Sequence, residues 1–348
     1  MTIIQRFSLF LLLSTSASGF STSNRASLRL PSSSLAASTV VEEVVSTTSV
    51  AADAVAETKS WNDEGFVFGL EGSGLERPKG KVSQVVVEGD TLEVSDSQRA
   101  IVWSTLLGHA GVSAFSIMGM MAGNQQALGG ALAGNEGLLT GVTAIQAMAV
   151  VGTSWLAADF GSGVLHWSVD NYGNGKTPVM GGIIAAFQGH HSAPWTITER
   201  GFENNVSKLC IPFGVQTVIA MKFIFGLGPA ATLFWSFFCV MEVMSQEFHK
   251  MSHTTKGEAG PVWNALQNVG LTLDRKSHAQ HHIAPYDGNY CIVSGRCNKI
   301  MDESGLFRRM EHIVYKLNGI ESNSWKLDAK LRERTLNGEY QLPKKVGR

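Results

Sequence analysis

A chain of 348 residues has room for two soluble domains, but only 16% of it is charged and 44% is hydrophobic, against about 25% charged in ordinary soluble domains. Its 28 basic and 29 acidic residues leave no net basic field to attract phosphates, which excludes nucleic acid as a default partner. Four cysteines, Cys210, Cys239, Cys291 and Cys297, form no CxxC pair, excluding a disulfide scaffold, a zinc ribbon and a dithiol redox motif; the two in apolar runs read as buried thiols.

From the amino terminus, residues 1–20 carry one arginine (Arg6), an apolar run from Phe7 to Leu13 and then small residues. That is the shape of a cleavable signal peptide. Residues 21–60 are rich in Ser, Thr and Ala, with Arg25 and Arg29 preceding the first acid, Glu42. That composition belongs to transit peptides. The two signals meet at Ala17-Ser18-Gly19-Phe20 and resemble the bipartite presequence of algae with secondary plastids; a plain secretory signal before a disordered linker is the other reading. Residues 61–98 read as an amino-terminal extension with a short strand at Val82 to Val87.

Between Arg99 and Asp159 the only formal charge is Glu136, and between Leu209 and Met241 it is Lys222. Apolar stretches of this length read as membrane spans. Four spans are expected, at about 101–122, 137–158, 207–227 and 230–247, with Gly228-Pro229 as the break of a hairpin and Pro212 near the start of the third. The expected fold is an all-α integral membrane protein with a histidine-rich cap on one membrane face. Lys222 is costly at mid-depth and reads as a snorkelling or helix-packing residue. Two crossings separate His166 from His249, so this topology returns the histidine groups below, and both termini, to the same side.

Eight of ten histidines fall in four groups: His166 with Asp170 four residues on; His190 and His191; His249 and His253; and His278, His281 and His282. Spacings of three and four put side chains on one helix face, close enough to share a metal. Eight imidazoles are too many for one ion and fit two, and a nitrogen-rich set without cysteine favours redox iron over structural zinc. Each group alone has a bland reading, such as helix capping or a surface histidine pair. Four groups on one membrane face do not, because histidines at membranes are scarce and usually functional. A dinuclear iron centre beside a membrane can activate dioxygen to dehydrogenate an unactivated methylene. His109 and His312 lack spaced partners and read as structural or incidental.

These stretches resemble the Kua-type lipid desaturases, which include plasmanylethanolamine desaturase and the plastid desaturase acting on palmitate in phosphatidylglycerol. The resemblance rests on Gly163 to Trp167 with Asp170, Gln188 to His191, His249 to His253 and His278 to His282, over about residues 100–325. Ala284 to Gly295 and the Gln188-Gly189 lead-in point to the plastid branch. It implies a lipid desaturase domain over 99–325, three histidine boxes at 188–192, 249–253 and 278–282, and His166 as a further ligand. It also implies two irons, O2 as co-substrate, and a trans double bond at carbon 3 of palmitate in phosphatidylglycerol. Asp170 reads either as a ligand or as an acceptor orienting an imidazole. Glu242 and Gln246 read as further orienting groups or as polar contacts between spans. No haem, flavin or nicotinamide fingerprint is visible, so electrons come from an outside donor, a ferredoxin in a plastid. Residues 326–348 form the tail. The segment from Leu306 onward, with ten basic and five acidic residues, reads as a solvated helix or a face toward anionic lipid. The competing readings are a desaturase of alkyl ether lipids forming vinyl ethers, a metal transporter and a non-catalytic lipid-binding scaffold.

Overall fold

The computed structural model describes residues 91–131, 134–178, 180–191 and 193–341. The presequence and the strand expected at 82–87 lie outside the described residues. The described part is helical, without strands, and three stretches are long and apolar enough to cross a membrane: Asp96–Leu128, Glu136–Asn171 and Phe202–Phe225.

Helix α1 (Asp96–Leu128) begins at a capping box in which Ser95 and Gln98 satisfy each other's backbone amides. Helix α2 (Glu136–Asn171) begins at Asn135, whose side chain accepts from the Leu138 amide. With 36 residues, α2 is about 54 Å long at 1.5 Å per residue. It outruns the span expected at 137–158, and one continuous helix carries His166 and Asp170 on its last turns. The outer faces of α1 and α2 expose Leu107, Phe115, Ile145 and Met148 at 65–69%, which suits lipid contact.

The third expected span is not one regular helix. It is built from α4 (Phe202–Val206), a 3-10 turn at Ser207–Cys210, and α5 (Val215–Phe225). Pro212 lies in the turn before α5 rather than at a helix start, and Gly214 caps α5. The 11 residues of α5 reach only about 16 Å, half of a bilayer's hydrocarbon core. The hairpin break is as expected: Gly226 is left-handed at φ 66, Gly228 caps α6 (Pro229–His253), and Pro229 opens it. Lys222 closes this hairpin by donating to the Leu227 carbonyl at 3.0 Å. The fourth expected span, α6, holds Glu242, Gln246, Glu247 and Lys250 in its second half and is outside the set apolar enough to cross.

Helix α6 is the central post. It packs on α2 through Ser154, whose hydroxyl donates to the Phe234 carbonyl at 2.7 Å, and through Gly161, where a Cβ would sit 2.6 Å from Glu242. On α1 it meets His109, buried with its ring nitrogens 3.1 Å from Ser236 and 3.0 Å from the Phe213 carbonyl, a structural role. Around this post stand α3 (Gly181–His190), α7 (Lys256–Asn268) and α8 (Arg275–His281). Arg275 binds α8 to its neighbours, donating to the Thr254 carbonyl at 2.6 Å and to Asn264 at 3.0 Å.

The carboxy-terminal helices α9 (Asn298–Glu303), α10 (Leu306–Asn318), α11 (Asn323–Leu327) and α12 (Ala329–Leu336) correct the reading of a solvated tail. Arg308 and Glu311 of α10 are buried as an ion pair at 2.6 Å. Glu311 also accepts from Trp167 of α2 at 3.2 Å and Trp325 of α11 at 2.7 Å. The tail therefore docks on the end of α2. His312 lies 2.9 Å from the Tyr340 hydroxyl, away from the other histidine groups.

Candidate metal centre

The nine residues expected as ligands converge in two groups. His190, His249, His253, His278 and His282 form one; His166, Asp170, His191 and His281 form the other, the ligand atoms of each lying within 4.8 Å of one another. In the first, His253 Nε2 stands 2.9 Å from that of His190, 3.3 Å from His249 and 2.7 Å from His278, with His282 3.0 Å from His278. In the second, Asp170 Oδ2 lies 3.2 Å from His166 Nε2, 3.2 Å from His191 Nε2 and 3.4 Å from His281 Nε2.

Each ligand is placed by local chemistry. The i, i+4 spacing puts His249 and His253 together at the end of α6 and His166 above Asp170 on α2. Helix α8 starts at Asp274, whose carboxylate accepts from the Lys276 and Ser277 amides at 2.9 Å; this cap aims the following His278, His281 and His282 inward. His190 ends α3, and His191 follows it.

The loop after α8 fixes two ring orientations. His166 Nδ1 donates to the Tyr290 carbonyl at 2.9 Å, and His281 Nδ1 to the Gly288 carbonyl at 2.8 Å. A proton on Nδ1 leaves the Nε2 lone pair facing Asp170, the form a metal takes. These carbonyls, and not Glu242 or Gln246, orient the His166 and His281 rings, so for those two rings the reading of Glu242 and Gln246 as polar contacts between helices is the one left. Glu242 is buried beside Gly161, and neither of its oxygens has a hydrogen-bond partner. Gln246 lines a cavity next to His249.

The loop is itself strapped to α2 by a residue the sequence reading passed over. Asp159 Oδ1 accepts from the Ser294 and Gly295 amides at 2.6 and 2.9 Å, and Oδ2 from Cys297 at 2.8 Å. Ser162 accepts from the Ile292 amide at 3.1 Å. Asp159, Ser162, His166 and Asp170 lie three or four residues apart, with Gly163 next to Ser162, on one face of α2, and that periodicity is the available signal. Gly163 lets the loop approach: a Cβ there would stand 2.6 Å from Cys291 Sγ. Gly163→Ala is therefore expected to cost about 1–2 kcal/mol through overpacking, lowering the melting midpoint by about 2–8 °C in a thermal unfolding scan.

Both groups could hold a metal ion. His166 Nε2, His281 Nε2 and both Asp170 oxygens are buried without a hydrogen-bond partner, and orphaned electron-pair donors aimed at one point fit a metal. Burial first, then neighbouring imidazoles, push His190, His278 and His282 well below the usual imidazole range. His281 is pushed down to about 4, by burial and then His166, against the opposing pull of Asp170. Neutral imidazole is the ligating form. No thiol belongs to either group, and the four cysteines are free. The donor set, eight imidazoles and one carboxylate, suits iron and lacks the thiolates of a closed structural zinc site.

The class defined here is a helical protein in which two histidine-rich groups that could hold metal ions lie beside helices apolar enough for a membrane. Residues 155–325 match the lipid desaturase domain. The match lies within the stretch read as similar, about 100–325, and α1 lies before it. The chain is 46% identical over 173 residues to Fatty acid desaturase 4, chloroplastic, of Arabidopsis thaliana, covering 49% of this chain and 52% of that relative. It is 43% identical over 176 residues to Fatty acid desaturase 4-like 1, chloroplastic, of the same plant, covering 49% and 57%. Plasmanylethanolamine desaturase 1 of Mus musculus is 32% identical over 174 residues, covering 47% and 63%. The chain spans about half the length of the first of these relatives. No solved structure matches it.

Proposed function

We propose that the protein is an oxygen-dependent, di-iron acyl-lipid desaturase of a plastid membrane, placing a trans double bond at carbon 3 of palmitoyl chains in phosphatidylglycerol. The observation that carries this reading is the convergence of eight imidazoles and Asp170 into two adjoining cation positions. The similarity to chloroplastic desaturases supports the compartment and the branch. The presequence of residues 1–60, four crossings and a domain over 99–325 belong to the same proposal.

Two irons with dioxygen would supply the oxidising power to remove hydrogen from an unactivated methylene. The balance is one O2, two electrons and two protons taken up; two hydrogens leave adjacent carbons, and two waters form. The electrons come from an external donor, a ferredoxin in this compartment. The Tyr290 and Gly288 carbonyls hold a proton on Nδ1 of His166 and His281 and keep Nε2 free to ligate. Asp170 places a negative charge among the imidazoles and balances a bound cation. Phe187 against His166, with ring centroids 5.1 Å apart, and Tyr286 against His191, at 4.5 Å, wall the centre with rings that exclude water.

The test is lipid mass spectrometry in cells lacking the activity. Wild-type protein is expected to restore trans-3-hexadecenoate in phosphatidylglycerol, and His190→Ala, His249→Ala and His281→Ala to abolish it. Vinyl ether lipids appearing while phosphatidylglycerol stays saturated would overturn the substrate. Purified protein carrying zinc and moving it across liposomes would overturn the enzyme.

A further inference from the structure

A cavity opens beside the five-histidine group, and three carboxamides line it, those of Asn204, Asn205 and Gln246. Two of them commit their nitrogen to the protein. Asn204 Nδ2 donates to the Thr91 carbonyl at 2.8 Å, and Asn205 Nδ2 to the Gln246 carbonyl at 2.9 Å. Arg200 and Lys208 also stand in the lining and are engaged with other groups of the chain. The Gln246 side chain differs. Its amide nitrogen is buried without a hydrogen-bond partner, on a residue 9% exposed. A buried donor without an acceptor is costly, and it calls for a bound partner.

The turn that carries Gln246 is fixed from outside. Asn205 of α4 holds the Gln246 carbonyl and also donates to Glu247 at 3.0 Å, and Glu247 pairs with Lys250 at 3.0 Å. Gln246 precedes His249 by three residues, so the two are neighbours on one face of α6, and both line the cavity together with His190. Phe187 of α3, in the same wall, joins the cavity to both histidine groups. Its ring centroid lies 6.2 Å from that of His249 and 5.1 Å from that of His166. Ala186 and Ile197 add to the apolar part of the lining. An ester carbonyl is an uncharged acceptor that one N–H satisfies, and it heads an apolar chain that such a wall accommodates.

We propose that the Gln246 side-chain amide donates to the ester carbonyl of the lipid acyl chain and sets which methylenes are dehydrogenated. This rests on the desaturase reading and deepens it. The carbonyl is carbon 1 of the chain. Anchored within one helical turn of His249, it leaves the carbons that follow at the side of the cavity where His249 and His190 stand. Gln246 is thus a substrate-positioning residue, and it tells an acyl ester from an alkyl ether, which lacks the carbonyl.

The test uses the full chain in detergent micelles doped with equal amounts of dipalmitoyl phosphatidylglycerol and its dihexadecyl ether counterpart, read by native mass spectrometry as lipid retained per protein. Wild type is expected to retain the ester about tenfold over the ether, the discrimination one hydrogen bond supplies. Gln246→Met, similar in length but without a donor, is expected to retain the two within about twofold of each other, with metal content per chain unchanged. Its desaturated product is expected to spread over neighbouring positions, and an unchanged single position would overturn the positioning role. Equal retention of ester and ether by wild type would overturn the proposal. So would a Gln246→Met variant that keeps the wild-type preference, the result expected of an amide that merely holds water. Should Gln246→Met lose its metal, Gln246→Asn decides. It draws the amide back by one methylene and is expected to cut the preference about threefold, and an uncut preference overturns the proposal. Wild type that prefers the ester yet yields no desaturated product would instead overturn the proposed function and leave this contact standing.

Discussion

Asp170→Asn is expected to leave the chain with about one metal ion in place of two and to lower desaturation at least about 100-fold. Asp170 is the one carboxylate among the converging groups, and its Oδ2 faces His166, His191 and His281 at 3.2–3.4 Å. An amide of the same shape keeps the packing but removes the charge that offsets a cation in a buried place. The five-histidine group has no share in Asp170 and is expected to keep its ion. Metal analysis of purified protein beside lipid product analysis checks both halves. Two ions per chain with undiminished product would remove Asp170 from the centre.

The second large effect is expected from Asp159→Ala. It would strip the partner from three backbone amides, those of Ser294, Gly295 and Cys297. Each unsatisfied buried group costs about 1–3 kcal/mol, so a loss on the order of 5 kcal/mol is expected, within the total stability of an ordinary domain. The melting midpoint should fall by about 10–20 °C. The loop that presents the Gly288 and Tyr290 carbonyls to His281 and His166 is released with it, so the Asp170 group should lose its metal first. Asp159→Asn keeps one acceptor oxygen and should fall between the two. An alanine variant melting within a degree or two of wild type, with full metal, contradicts the account.

Much of the site could be read from spacing, and less of the scaffold could. Histidines three and four apart declare a shared helix face, so all nine ligand candidates were visible. Their division into five histidines on one side and three with Asp170 on the other was not, because neighbouring His190 and His191 part company, and so do His281 and His282. That choice is made by packing. Charge-poor stretches located the membrane-type helices but misjudged their ends, since hydropathy cannot see α2 continuing through His166 and Asp170. The third stretch looked uniform in hydropathy, although Pro212 and Gly214 interrupt its backbone. In the sequence Asp159 marks only the end of an apolar run, and Arg308 and Glu311 belong to a basic tail. Both readings come from treating charges as solvated until a distant partner shows otherwise.

The strap at Asp159 also dictates an order of arrival. During synthesis α2 emerges with His166 and Asp170, but the imidazoles that complete their cluster follow only at 191 and 281. The carbonyls that orient the rings come later still, at 288 and 290, and the amides that clasp Asp159 at 294–297. On the proposed di-iron reading, a nascent chain therefore has no finished position for a metal until most of it has been made, and metal loading would report that the last third has returned to the second helix.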